Sequence, residues 1–341
     1  MAAAHGGTLS FESVAGKGRR SGWNCRPRPT LDETPVVGVS CSAMRTADTI
    51  RRVPAALAAM FLGLLCGCAT TPPATPEPPP GRTPLAGWEG KLTTYDVASP
   101  VPGIASRPVT VLVPPGYSDP VNASRRYPVL YLHDGNNCLD RDPFAHGGWQ
   151  VHTVSYDLVQ QGKMAPAILV LVDNTSSRGQ EYVPGFGTAP GPSADGYLDF
   201  LEKTVVPFVE TWYRTAPGPG NRGIGGSSYG GIISLYAGWT RPQVFGFVMA
   251  MSTAFAYDFH AMVRATPPPR KPLRIYLDSG TVDWSGGDDG MAKTVELRDL
   301  LVAQGFVPGT DLLHFVGQGD NHSENFWRGR LPVALPFLLP P

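Results

Sequence analysis

Arg222-Gly223-Ile224-Gly225-Gly226-Ser227-Ser228-Tyr229-Gly230-Gly231 is the stretch on which the reading of this chain turns. Residues 222–225 open a strand. Residues 230–239 have the composition of a helix, stopped before Arg241-Pro242. Between them, Gly226 to Gly230 fits the pattern G-x-S-x-G with Ser228 at its centre, and a strand-turn-helix is the context this pattern needs. Such a serine sits on a strained turn whose neighbours have no room for side chains, so glycines flank it. The helix that follows points its positive end at negative charge developing on a substrate. The same five-residue pattern also arises as a plain turn in Gly/Ser-rich loops, and it is the flanking strand and helix that mark this one. Ser227 occupies the variable position of the pattern.

Working outward, residues 109–113 (VTVLV) and 128–132 (PVLYL) are β-branched or aromatic runs bounded by Pro and Gly, as strands are. Residues 167–172 (AILVLV), 245–251 and 273–277 (LRIYL) read as buried strands, and 312–316 (LLHFV) as the last one. Residues 196–213 carry Tyr197, Leu201, Val205, Phe208 and Trp212 on one helical stripe, with a kink or break expected at Pro207. Residues 291–303 and 326–339 predict two more helices. This alternation specifies an α/β fold, a mostly parallel central sheet flanked by helices.

Three residues must cooperate if Ser228 is a nucleophile, because a serine needs a base and the base needs an orienting acid. In proteins built on this elbow the chain order is Ser, acid, His. The strand at 273–277 is followed by Asp278-Ser279-Gly280-Thr281-Val282-Asp283. Asp283, in the loop, is the expected acid; Asp278, Asp288 and Asp289 are the alternatives. Asp283, Asp288 and Asp289 lack the spacing of a calcium loop, so no metal is expected. His322 is the expected base, being the histidine in a loop between the last strand and the last helix. His314 falls inside a strand and is expected to pack. The oxyanion donors expected are the N–H of Tyr229 and that of Gly135 or Asn136, after the strand at 128–132. Trp149, Tyr229 and Trp327 are candidate aromatic walls for a substrate.

Tyr127 to Gly135 (YPVLYLHDG), Gly225 to Gly231, and Asn321-His322 through Leu331 together resemble the esterase family of the α/β-hydrolase superfamily. That family includes enterochelin esterases, S-formylglutathione hydrolases, feruloyl and acetylxylan esterases, and mycolyltransferases. Arg178 and Glu181-Tyr182 are similar to a loop motif of the same family. The resemblance covers most of residues 88–341. It implies an α/β-hydrolase fold and a serine esterase that needs no cofactor, with Ser228, Asp283 and His322 as its triad and a small-molecule ester as its substrate. Tyr229 departs from the methionine often found after the serine. Acyl transfer by the same triad, or a non-catalytic binding module on the hydrolase fold, are the other readings.

The chain before this region differs in kind. Arg45, Arg51 and Arg52 precede an apolar run of about thirteen residues at 53–65, too short for a membrane span of about 20. A basic stretch followed by such a run has the form of a signal peptide. Leu65-Cys66-Gly67-Cys68 resembles a bacterial lipobox, which makes Cys68 the expected lipidation site. Residues 70–84 (TTPPATPEPPPGRTP) favour extended polyproline and serve as a tether. The expected organisation is an extension outside the native start at 1–43, a lipoprotein signal peptide at 44–67, a Pro-rich tether at 68–84, and a hydrolase domain at 85–341. Ala69 after the cysteine suits a protein sent to the periplasmic face of an outer membrane, held there through its lipid.

Composition sets the outer limits. The chain has 341 residues, 42% hydrophobic and 16% charged, which suits a folded core. Lys+Arg and Asp+Glu are 28 each, and with no basic excess nucleic acid is not expected as a partner. Gly 40 and Pro 36 imply many turns and argue against a helical bundle. Of the five cysteines only Cys138 lies beyond Cys68 in sequence, and it is expected to act as a small buried hydrophobe.

Overall fold

The structure is a computed structural model; it describes residues 75–139, 147–269, 273–283 and 286–341. Eight strands form one sheet: β1 (Leu92–Val97), β2 (Arg107–Leu112), β3 (Val129–His133), β4 (Ile168–Val172), β5 (Arg222–Ser227), β6 (Phe247–Met251), β7 (Arg274–Gly280) and β8 (Leu312–Gly317). Their order across the sheet is β1-β2-β4-β3-β5-β6-β7-β8. The β1/β2 and β2/β4 pairs are antiparallel, and all pairs from β4 to β8 are parallel. The mixed sheet, parallel across its centre, is the expected α/β-hydrolase architecture.

Alternation along each strand divides the core into two layers. Val129 and Tyr131 of β3 join one apolar cluster, while Leu130 and Leu132 join the other. In β6, Val248 and Ala250 face the first, and Phe247, Met249 and Met251 the second. Central strands buried on both faces must be apolar throughout, which is why their sequences run unbroken. Along the chain the helices are α1 (Gly135–Cys138), α2 (Val151–Gln160), α3 (Arg178–Tyr182), α4 (Ala194–Phe200), α5 (Val206–Trp212), α6 (Tyr229–Thr240), α7 (Phe259–Ala265), α8 (Met291–Ala303) and α9 (Glu324–Leu338). Residues of α4, α5, α6, α7 and α8 fill the first layer, and those of α2 and α9 the second.

Two departures from the sequence reading have local causes. β1 carries no apolar run, since Thr93, Thr94 and Asp96 interrupt it. It is an edge strand, and Thr94 Oγ1 bonds Thr110 Oγ1 across the β1/β2 pair at 2.7 Å. Its open edge is partly covered by Arg82, whose backbone exchanges hydrogen bonds with Thr94 of 3.0 and 2.8 Å and whose side chain pairs with Asp96. The second is Pro207, where a kink or a break is expected: the helical path goes on, with Pro207 in the first turn of α5. A π-helical turn at Leu201–Val205 links α4 to α5, and Val206 N–H bonds the carbonyl of Leu201. The wider turn changes the carbonyl spacing just where proline brings no donor.

Cys138 is buried, with its Sγ 3.6 Å from the carbonyl of His133. His314 packs as expected: Nε2 lies 3.0 Å from Thr294 Oγ1, and burial pulls its pKa down to about 4. Among the described residues no helix is long and apolar enough to cross a membrane. Cys68, the signal-like run and the start of the Pro-rich stretch lie outside the described residues.

Candidate active site

Ser228 stands at the junction of β5 and α6 with φ 57 and ψ −122, a conformation an ordinary side chain avoids. The turn is held on all sides. Ser228 N–H donates to Met251 O at 3.0 Å, and its carbonyl accepts from Gly231, Ile232 and Ala254 N–H. Two nearby glycines, Gly226 of the pattern and Gly231 just beyond it, are there because space is absent. A Cβ on Gly226 would come within 2.9 Å of Gly230 Cα, and one on Gly231 within 2.6 Å of Thr253 Oγ1. The serine is half-buried, and the first turn of α6 behind it has N–H groups without intrahelical acceptors, Tyr229 first among them.

His322 lies in the loop between β8 and α9, partly exposed, with its Nδ1 2.6 Å from a carboxylate. That carboxylate belongs to Asp289, not to Asp283. The loop after β7 explains the difference. Asp283 N–H bonds Gly287 O, and Gly286 N–H bonds Asp283 O, so the chain folds back on itself at Asp283. It returns to the end of β7 at Asp289, whose Oδ2 accepts Gly280 N–H at 2.7 Å and Ser252 Oγ–H at 2.6 Å. Asp289 is buried, whereas Asp283 lines the cavity beside His322 without bonding the imidazole. Of the alternatives, Asp288 caps α8 by accepting from Ala292 and Gly290 N–H, and Asp278 is buried under the site.

Ser228 and His322 are not hydrogen-bonded to one another here. They meet a common loop: Ser228 O accepts from Ala254 N–H, and His322 shares with Ser252, Thr253, Ala254 and Phe255 a cavity of about 230 Å³. Nucleophile–base contacts are often open before substrate binds.

The other sequence candidates sort differently. Trp149 and Trp327 are 1% and 5% exposed and pack in the α2/α9 layer, with ring centroids 6.0 Å apart. They do not wall a substrate cavity. Trp327 instead sets its ring edge-on against His322, centroids 5.1 Å apart, and donates its indole N–H to Ser252 Oγ at 2.9 Å. Tyr229 is half-buried under the Arg178 guanidinium, 5.3 Å from its ring centre. Gly135 and Asn136 begin α1, directly after β3, on the strand beside β5. The reason for glycine at 135 is packing: a Cβ there would lie 2.7 Å from the carbonyl carbon of Leu171 in β4.

Sequence reasoning noticed Arg178, Glu181 and Tyr182 without giving them roles. Arg178 clamps both oxygens of Asp134 at 2.7 Å, and Asn174 adds a bond of 2.6 Å. Asp134 has φ 55, so this clamp holds the turn that aims the start of α1. Its N–H donates to Tyr182 Oη at 3.4 Å. Glu181 meets Arg107 through two bonds of 2.8 Å, both side chains fully buried. Beneath the turn, burial lowers the pKa of His133 to about 3, leaving a neutral ring with Nδ1 2.8 Å from Tyr197 Oη.

The model of the family described as "Putative esterase" matches residues 105–338, and the chain belongs to that family. By class the chain is a carboxylic ester hydrolase. An uncharacterised Bacillus subtilis protein, YbbA, is 25% identical over 68% of this chain and 92% of its own length. The siderophore triacetylfusarinine C esterase of Aspergillus fumigatus is 30% identical over 38% of this chain and 45% of its own length. Among solved structures, the enterobactin esterase of Shigella flexneri superposes with a TM-score of 0.57 at 20% identity, over 77% of this chain and 61% of that one. A ferulic acid esterase gives 0.57 at 22% identity, over 73% and 98%. At these identities the structural likeness is one of fold.

Proposed function

We propose that the chain is a serine esterase whose triad is Ser228, His322 and Asp289. The pairing of His322 with a buried carboxylate, on the loop network that also anchors the strained Ser228 turn, is the observation that carries this reading. Ser228 Oγ attacks the ester carbonyl carbon while His322 Nε2 takes its proton, and the C–O bond to the alcohol breaks as the imidazolium returns that proton to the leaving oxygen. Water then attacks the acyl-enzyme, with its proton passing through His322 to Ser228. Asp289 holds the imidazole with Nδ1 protonated, so that Nε2 is free to accept. The oxyanion donors are the N–H of Tyr229 and that of Gly135 or Asn136, where the fold of β3 and α1 supports them. The resemblance to esterases of siderophores and feruloyl groups supports a small, soluble ester as substrate.

Hydrolysis of short p-nitrophenyl esters, with covalent labelling by a fluorophosphonate probe, tests the reading. Ser228→Ala should abolish labelling and lower turnover by several orders of magnitude. Full turnover in that variant overturns the assignment. The same triad serves acyl transfer, so an alcohol added as competing acceptor should give free acid as the main product if hydrolysis is the function.

We also propose that the protein is a lipoprotein anchored at Cys68, on the periplasmic face of an outer membrane. The sequence pattern at Leu65 to Cys68 and the Pro-rich stretch after it support this. Multiple acyl chains on one residue would anchor it stably. Cys68→Ser should move the activity from the membrane fraction to the soluble fraction, or stall processing. Wild-type protein found soluble with its first residue at Met1 would overturn this.

A further inference from the structure

Behind the Asp289–His322 pair lies a largely buried set of charges that neither the motif nor the triad accounts for. Arg330 of α9 has a side chain only 2% exposed. Its Nη1 donates to Asp278 Oδ1 at 2.8 Å and its Nη2 to Ser252 Oγ at 3.0 Å. Asp320 Oδ2 lies 3.4 Å from Nε, and Asp289 Oδ2 lies 3.9 Å from Nη2. One guanidinium thus serves three carboxylates, two of them fully buried.

Ser252 is the junction. Its hydroxyl accepts from Arg330 Nη2 and from Trp327 Nε1, and with its single proton it donates to Asp289 Oδ2 at 2.6 Å. Both acceptor sites and the donor are therefore used, which fixes the direction of the bond to Asp289. The backbone of Ser252 has φ 39 and is pinned by its N–H to Asp278 Oδ1 at 2.9 Å. Asp278 is held in turn by Tyr276 Oη–H at 2.8 Å. The bonds that pass through the Ser252 hydroxyl all run toward Asp289, and Asp289 points its other oxygen at His322.

We propose that Arg330, acting through Ser252, is a positioning residue of the esterase: it fixes the orientation of Asp289, and thereby the tautomer of His322. The inference rests on the triad reading given above. A partner that held α9 to the sheet for stability alone would need no link to Asp289. Here the guanidinium reaches Asp278 and the Ser252 hydroxyl together, and that hydroxyl spends its one proton on the acid that holds the base.

The charged groups around His322 are few. Asp289 bonds its ring; Asp283 and Lys293 line the same cavity; Asp320 precedes it on its own loop and Glu324 follows at the start of α9; Arg330 and Asp278 lie behind. Removing the Arg330 cation leaves the negative charge of Asp289 less offset, so the imidazolium of His322 becomes easier to form. The acidic limb of the kcat/KM profile should then move to higher pH.

The test uses the full chain and three variants, with p-nitrophenyl acetate as substrate and Ser228→Ala measured beside them. Ser252→Ala keeps every charge and removes only the junction. It should lower kcat roughly tenfold, which is what one lost hydrogen bond is worth, leave KM within about twofold, and raise the acidic limb, because Asp289 loses the hydroxyl proton that offsets its charge. Arg330→Met should lower kcat further and raise the limb by about one pH unit, and Arg330→Lys should recover part of both. If Arg330→Met fails to fold, Ser252→Ala decides. A limb that stays in place in Ser252→Ala, with kcat unchanged or merely scaled to the folded fraction, overturns the positioning role. If Ser228→Ala remains active, the triad reading has failed instead, and the two failures are told apart.

Discussion

Replacing Asp289 by asparagine separates the acid proposed here from the one the sequence favoured. The side chain keeps its shape, so the question becomes which way the amide faces. Asp289 Oδ2 accepts two donors, the backbone N–H of Gly280 at 2.7 Å and the hydroxyl of Ser252 at 2.6 Å. The Gly280 N–H cannot turn away, because it is part of the main chain. An amide nitrogen placed there would set donor against donor in a buried site, at a cost of about 1–3 kcal/mol. The new amide therefore keeps its oxygen toward Gly280 and presents its NH2 to His322 Nδ1. That group donates, so Nδ1 must accept, and the ring proton moves to Nε2. An imidazole protonated at Nε2 cannot take the proton of Ser228.

The loss expected for this wrong tautomer is about 10⁴ in kcat, the size seen when a triad acid is made an amide in a serine protease. In free energy that is about 5 kcal/mol of transition-state stabilisation. Asp283→Asn, by contrast, alters a residue that lines the cavity without bonding the imidazole, and should change kcat by no more than a few fold. The assay is steady-state hydrolysis of p-nitrophenyl butyrate with both variants shown to be folded by circular dichroism. If Asp289→Asn keeps a tenth of the wild-type rate, or if Asp283→Asn falls as far, the pairing of Asp289 with His322 is not the working one.

Two predictions concern stability. Arg107 and Glu181 form a fully buried ion pair, so Glu181→Gln should leave the guanidinium uncompensated and cost about 3–5 kcal/mol, read as a lowered urea midpoint. His133 has its pKa lowered to about 3 by burial, against an ordinary value near 6.5. Below pH 6.5 the unfolded chain then binds a proton that the folded chain refuses, and stability falls with pH until about 3. At pH 5 this one residue should account for about 2 kcal/mol of lost stability relative to pH 8. His133→Gln should flatten that slope in urea titrations; a slope unchanged by the substitution would show that the proton is taken up elsewhere.

Several strands of the sheet centre were legible because burial on both faces forces an unbroken apolar run, as at residues 167–172 and 247–251. β1 was not, because an edge strand needs apolar residues only where it meets the core, and Thr94 satisfies its hydroxyl on Thr110 instead. The turn at Ser228 was legible because its requirements are local: a strained backbone and, at Gly226, neighbouring backbone that leaves no room for a Cβ. His322 could be found by order along the chain. The acid could not be chosen the same way. Asp278, Asp283, Asp288 and Asp289 all lie at or just beyond the end of β7, and which of them returns to the histidine depends on where the loop folds back. That is set by the bonds of Asp283 to Gly287 and to Gly286, and by the Gly280 N–H that donates to Asp289. Trp149 and Trp327 misled for a related reason. An indole has an apolar body and one donor, and sequence does not say whether that donor meets a substrate or, as with Trp327, the Ser252 hydroxyl under the base. The residues missed altogether, Asp134, Ser252 and Arg330, share one feature. Each acts through partners on strands or helices far away in sequence: Asp134 on Arg178, Ser252 on Asp289 and Trp327, Arg330 on Asp278. Short patterns find a candidate nucleophile, while the network around it becomes visible only when the fold has brought its members together.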